Sequence, residues 1–194
     1  MFAVHEALLR ARLLFFKNCL SGAWKESEER LVKLPEDEPA IFLLYIQLLY
    51  TGQLAYKLDP PRKSDHDIEE NITLGKLYVL AEKLQDDGTK ERVIDGLVMR
   101  LRDNDGKIQI HVLTVPAMCK LIYGGTPGPC GIRRLLVDYV VYGCSRKNHP
   151  ILKVWDRYPK EFQHDVVAAL IEKRPIPSGN YLRACNFSVY YDKH

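Results

Sequence analysis

The 194 residues, 46% of them apolar, are enough to bury a core and exclude a disordered chain. The 28 basic and 25 acidic residues are mixed along the chain and leave a net charge of only +3, so no concentrated basic face is expected for nucleic acid. Apolar runs such as Ile41 to Tyr50 stop at about ten residues, well below the ~20 that a bilayer span needs, and no basic leader precedes an apolar signal core. An intracellular protein, neither secreted nor membrane-embedded, is expected.

In chain order, Phe2 and Val4 alternate with Ala3 and His5 as a half-buried strand would. The spacing then turns helical, predicting short helices over His5 to Arg12 and Leu14 to Leu20. Arg30 to Leu34 reads as a second short strand, with Val32 and Leu34 on one face and Pro35 ending it. EDEPAIFLLYIQLLYTG predicts a helix with Pro39 and acidic residues in its first turn and Gly52 as its stop. Phe42, Leu43, Ile46, Leu49 and Tyr50 form its expected stripe, widened by Ile41, Leu44 and Leu48, so that this helix should be largely buried.

After a polar loop at Asp59 to His66, two helices are predicted over Asp67 to Gln85 and Thr89 to Arg102. The first carries Leu77, Leu80, Ala81 and Leu84 on one face, the second Val93, Ile94, Leu97 and Leu101, and the two should form a hairpin. Asp103 to Lys107 marks the expected domain boundary. Beyond it, helices are predicted near Val115 to Tyr123, Ile132 to Gly143 and Pro159 to Arg174, followed by a tail from Pro175 with little periodicity.

Few residues invite chemistry. The chain has no Gly-rich phosphate loop, GxSxG elbow or HExxH motif, and its six histidines are scattered. No enzyme is expected, and no catalytic residue, cofactor or metal ligand is assigned. Cys185 and His194 lie close in sequence, but zinc would need two further ligands. His5 at a strand-to-helix junction is expected to cap or pack. The five cysteines contain no CxxC pair and suit a reducing compartment, with Cys19 and Cys119 acting as small hydrophobes. Arg133 and Arg134 could bind phosphate, but an intrahelical ion pair with Asp138 on a solvated face is the preferred reading. Trp155, Tyr158 and Phe162 fall near helical spacing and are expected in the core.

FAVHEALLRARLLFF, then WKE, then RLVKLPEDEPAIFLLYIQLLYTGQL and LYVLAEKLQ, in that order, resemble the BTB/POZ domain over residues 2 to about 102. IYGGTPGPCGIRRLLVDY and WDRYPKEFQHDVVAAL are similar to the helical extension of its fungal members. The resemblance implies a mostly helical α+β fold: a small sheet flanked by helices in a BTB/POZ domain over 1–102, and a helical extension with an irregular tail over 108–194. Such domains open with a hairpin whose second strand ends in Val-His, here Val4-His5, so the resemblance implies that the chain lacks its first hairpin.

The function so implied is protein–protein interaction. Phe2, Val4, Leu8, Leu9 and Phe16 would be the self-association surface, left uncovered without the hairpin, and a homodimer is expected when the hairpin is present. Trp24 and Glu26 match the apolar-x-Glu motif by which such domains meet a cullin scaffold, which makes an adaptor for a cullin-type ubiquitin ligase one expected role. A transcriptional or structural scaffold that meets no cullin is the alternative. Neither nucleic acid nor membrane is an expected partner.

Overall fold

The computed structural model describes residues 2–12, 14–20, 25–55, 64–100, 115–143 and 150–173. Among them are ten α-helices and no strand. The first three are short: α1 (Glu6–Arg12), α2 (Leu14–Cys19) and α3 (Lys25–Glu29). α4 (Pro39–Thr51) starts at Pro39 and stops at Gly52 as expected, but the acidic residues expected in its first turn precede it, with Glu38 at the N-cap. Pro39 stands in its first turn, and Gly52, at φ 70°, closes it by donating its N–H to the Leu48 carbonyl at 2.8 Å.

α5 (Ser64–Lys83) is the hub, packed by α4, by α6 (Asp87–Arg100) and by α7 (Pro116–Gly125). The expected hairpin of α5 and α6 is present, with Leu77, Leu80, Ala81, Leu84, Val93 and Leu97 all buried. Its turn is built by Asp86. The Asp86 carboxylate accepts from the Thr89 backbone N–H (3.0 Å), the Thr89 hydroxyl (2.7 Å) and the Tyr45 hydroxyl (2.9 Å), so it caps α6 and ties α4 to the turn. α5 and α7 come close through glycines. A Cβ on Gly75 would stand 2.6 Å from the Met118 sulfur, and one on Gly125 2.5 Å from a Val79 methyl.

α8 (Gly131–Gly143) pairs with α10 (Lys160–Glu172), and both contact α7. Between them lie the single turn α9 (Pro150–Lys153) and a 3-10 turn at Trp155–Arg157. Tyr158 and Phe162 are buried and stacked at 5.3 Å, with half-buried Trp155 against both, as expected of core aromatics. One hydrophobic core runs from Leu9 to Val166, with residues from both sides of the expected boundary near 103–107.

Three expectations are corrected. The small sheet is absent: residues 2–5 and 31–34 are extended, and no backbone ladder pairs them among the described residues. Alternation reports which side chains turn inward, and it holds only in part: Val32 and Leu34 are half-buried and Lys33 exposed, but Leu31 is half-buried as well, and Phe2, expected inward with Val4, is 42% exposed. A strand also needs a partner at hydrogen-bonding distance, and alternation does not report that.

The stripe on α4 is displaced as well. Its buried face is Ile41, Tyr45, Leu48 and Leu49, whereas Leu43 and Tyr50 are 46% and 49% exposed.

Arg133, finally, does not lie on a solvated face beside Asp138. It is buried, and Asp138 instead pairs with Lys173. The guanidinium donates to the carbonyls of Tyr123 (3.0 Å) and Thr126 (2.8 Å), to the Thr126 hydroxyl (2.8 Å) and to the Glu161 carboxylate (3.0 Å), and lies 4.2 Å from the Tyr123 ring centre.

Candidate interaction groove

The site is assembled by the two extended segments and the helices they touch. His5 ends the first segment and starts α1, its carbonyl accepting from the N–H groups of Leu8 and Leu9. Its ring Nδ1 lies 2.6 Å from the Tyr50 hydroxyl, which also accepts from the His5 backbone N–H at 3.2 Å. His5 is exposed and its ring meets Tyr50, while its bonds to α1 come from the backbone carbonyl and not from the side chain. At the other end of the segment, the Phe2 ring rests on Phe42 at 5.2 Å. Residues 2–5 thus run alongside α4 from Phe42 to Tyr50.

The second segment leaves α3 through Arg30, whose φ of 51° turns the chain into residues 31–34. The Arg30 guanidinium pairs with Glu6, which also holds Arg10 at 3.1 Å, so the two segments are tied at one end. Between them lies a groove of about 720 Å³. Leu9, Phe16 and Leu20 are its buried floor. Phe2, Ala3 and Val4 line one wall, Leu31, Val32 and Leu34 the other, and Pro39 and Phe42 of α4 also line it. Of its charged residues, Glu6 and Arg30 pair with each other, and Asp37 pairs with Lys83 at 2.7 Å. Exposed Lys33 has no ion pair among the described residues.

Four of the five residues assigned to self-association, Phe2, Val4, Leu9 and Phe16, line this groove. They are not equally accessible. Phe2 is 42% exposed and Val4 and Leu8 are half-buried, but Leu9 and Phe16 belong to the core, so no uncovered apolar face exists at those two positions. Glu26 is exposed in the first turn of α3; Trp24 lies outside the described residues. Cys185 and His194 lie outside them too.

Sequence reasoning missed Leu20, Leu31 and the Phe42 wall. The signal available was that both alternating segments flank apolar helices.

The polar networks lie elsewhere and are internally satisfied. Tyr45 with Asp86 forms a buried hydroxyl–carboxylate pair and Tyr123 with Asp165 (2.7 Å) a partly buried one, and burial together with the carboxylate pushes each phenol well above its ordinary range. Burial pushes the Cys119 thiol up to about 12, which makes it a core group and not a nucleophile. Cys19, Cys119 and Cys130 are free thiols. Among the described residues no group of His, Cys, Asp and Glu could hold a metal ion, and no helix is long and apolar enough to cross a membrane. What the groove offers chemically is apolar surface and backbone hydrogen-bonding groups. Searches against protein-family models, curated proteins and solved structures find no match to this chain.

Proposed function

We propose that this chain is a non-enzymatic protein-interaction module that associates with itself and recruits partner proteins, working inside the cell. One observation carries the reading: the groove and a strip of exposed apolar side chains share one edge of the molecule. Phe2, Leu43 and Tyr50 are each 42–49% exposed; Leu43 and Tyr50 lie seven residues apart on one side of α4, and the contacts of Phe2 with Phe42 and of His5 with Tyr50 lay the first segment beside that helix. α4 has no charged residue from Pro39 to Thr51. A two-fold dimer presents a patch to a copy of itself, and an uncharged apolar patch is complementary to itself. The resemblance to BTB/POZ domains, which self-associate, supports the same conclusion, and the free thiols suit a reducing compartment.

Sedimentation velocity over a concentration series tests it. The wild type is expected to form a dimer, and Leu43→Glu, an exposed substitution that spares the core, to weaken it by 100-fold or more. A wild type that stays monomeric into the hundred-micromolar range would remove self-association.

The resemblance also makes a cullin scaffold the candidate among partners, through Trp24 and the exposed Glu26. If Trp24 fills a pocket there, Trp24→Ala is expected to weaken binding by ~2 kcal/mol or more, and Glu26→Ala by less. Titration calorimetry with a cullin N-terminal fragment reads both, and equal binding by wild type and Trp24→Ala would leave the motif a packing feature.

A further inference from the structure

We propose that the groove takes an extended segment of a partner protein, bearing apolar residues at alternate positions and an acidic residue beside them. This rests on the reading of the chain as an interaction module and names the chemistry of what it recruits.

The argument starts from the backbone. Both walls are extended, and neither pairs with the other or with anything else along Ala3, Val4, Leu31, Val32 and Lys33 among the described residues. Among the described residues, each wall therefore has N–H and C=O groups without a protein partner, along a groove whose floor is apolar. An added strand meets both needs: its backbone pairs with a wall, and every second side chain enters the groove. A helix would bring an apolar stripe but no backbone donors or acceptors, since its own are used internally, and the walls would stay unpaired.

Charge narrows the occupant. Glu6 is shared by Arg10 and Arg30, Asp37 is held by Lys83, and Lys33 stands on the Val32 wall without an ion pair among the described residues. The carboxylates at the groove are taken and a cation is left over. The complementary segment carries an aspartate or glutamate next to its apolar residues. A second copy is a poorer occupant, because the edge it would bring, 31–34, presents the same Lys33.

The test is a phage-displayed library of random nine-residue peptides panned on the full-length chain, with the selected peptide synthesised and its affinity measured by fluorescence anisotropy. The expected consensus has apolar residues at i, i+2 and i+4 and an acidic residue beside them. N-methylating alternate backbone amides in one phase should weaken binding at least tenfold, and in the other phase much less. Lys33→Glu, at an exposed position that leaves the core untouched, should weaken the selected peptide at least tenfold and shift a repeat selection towards basic residues.

Selection of apolar residues at i, i+3 and i+4, indifference to N-methylation in both phases, or indifference to Lys33→Glu would overturn the proposal. So would competition in which dimerisation displaces the peptide, because the groove would then hold a second copy. If no peptide is enriched while the Leu43-dependent dimer forms, the inference fails and the interaction module stands. If neither is seen, both fail.

Discussion

Arg133→Met is expected to destabilise the protein by about 3 to 4 kcal/mol, the largest effect of any single change considered. Helix α7 ends at Gly125, and its last carbonyls have no partner within the helix. Two are met from outside: the Thr126 hydroxyl donates to the Ile122 carbonyl at 2.7 Å, and Arg133, reaching across from α8, donates to the Tyr123 carbonyl. The same guanidinium holds the Thr126 hydroxyl and carbonyl, so one side chain caps the helix and fixes the residue that completes the cap. Its charge sits at the negative end of the α7 dipole. Glu161 on α10 supplies the counter-charge, and Tyr123, whose ring lies under the guanidinium, bonds Asp165 on α10 through its hydroxyl.

Methionine fills similar space but leaves two acceptors in a dry site. Each stranded buried group costs about 1 to 3 kcal/mol. Lysine keeps a charge but not the fork, and Arg133→Lys is expected to lose roughly half as much. Urea unfolding at neutral pH measures both as a fall in midpoint at constant slope. A loss under 1 kcal/mol for the methionine variant would mean that water takes over the cap.

The second large effect is alkaline. Burial raises the Cys119 thiol from an ordinary 9.0 to about 12, and raises Tyr78 from 10.0 to about 12 with the help of neighbouring Cys130. Tyr45 and Tyr123 are shifted upward as well, by burial first and then by their aspartate partners. Burial alone would lower Lys90, but its bonds to Asp87 and Glu82 override this and raise it.

All five shifts have one sign. A group whose folded pKa lies above its unfolded one contributes stability that is complete below the unfolded pKa and is lost as pH rises towards the folded one. Stability is therefore expected to start falling about one pH unit below the unfolded thiol's 9.0, where that thiol begins to ionise, and to fall more steeply above pH 10, where the unfolded phenols follow. Three decades in proton affinity at fully buried Cys119 correspond to about 4 kcal/mol by pH 12. Urea unfolding from pH 7 to 11 reads the slope. Cys119→Ala should flatten it between pH 9 and 10 and leave the steeper loss above. A wild type equally stable at pH 7 and 11 would contradict the burial of these groups.

How much of this was legible in the sequence differs from element to element, for physical reasons. The helices from α4 onward were readable because period and punctuation agreed: Pro39 and Gly52 bracket α4, and the leucines of α5 lie on one face. Which face of α4 points inward was not readable, because Ile41 to Ile46 is apolar all the way round and only the position of α5 decides that Tyr45 is buried and Leu43 is not. The extended segments were found and the sheet was not, since alternation is a property of one segment and pairing of two. At the groove, Phe2, Val4, Leu9 and Phe16 could be named from the resemblance, whereas Leu31 and Phe42 join them only through the path of the chain. Arg133 was misjudged because its partners lie seven and ten residues before it and 28 after, beyond the reach of an i, i+4 argument.

The close approach of Gly75 to Met118 and of Gly125 to Val79 makes the two stretches on either side of residues 101–114 complementary halves of one object. Cut there, the first half would keep α4, α5 and α6 but leave wet the side of α5 that α7 covers. The second half would carry Met118, Cys119 and Ile122, none of them exposed in the whole molecule, on an open face. Neither half closes its own core. Each holds the template that the other needs, and the polypeptide linkage between them keeps their local concentration high. Mixed as separate chains, the halves are in the position of a split protein that reconstitutes, and the join is a natural place at which to make its activity conditional on bringing two fragments together.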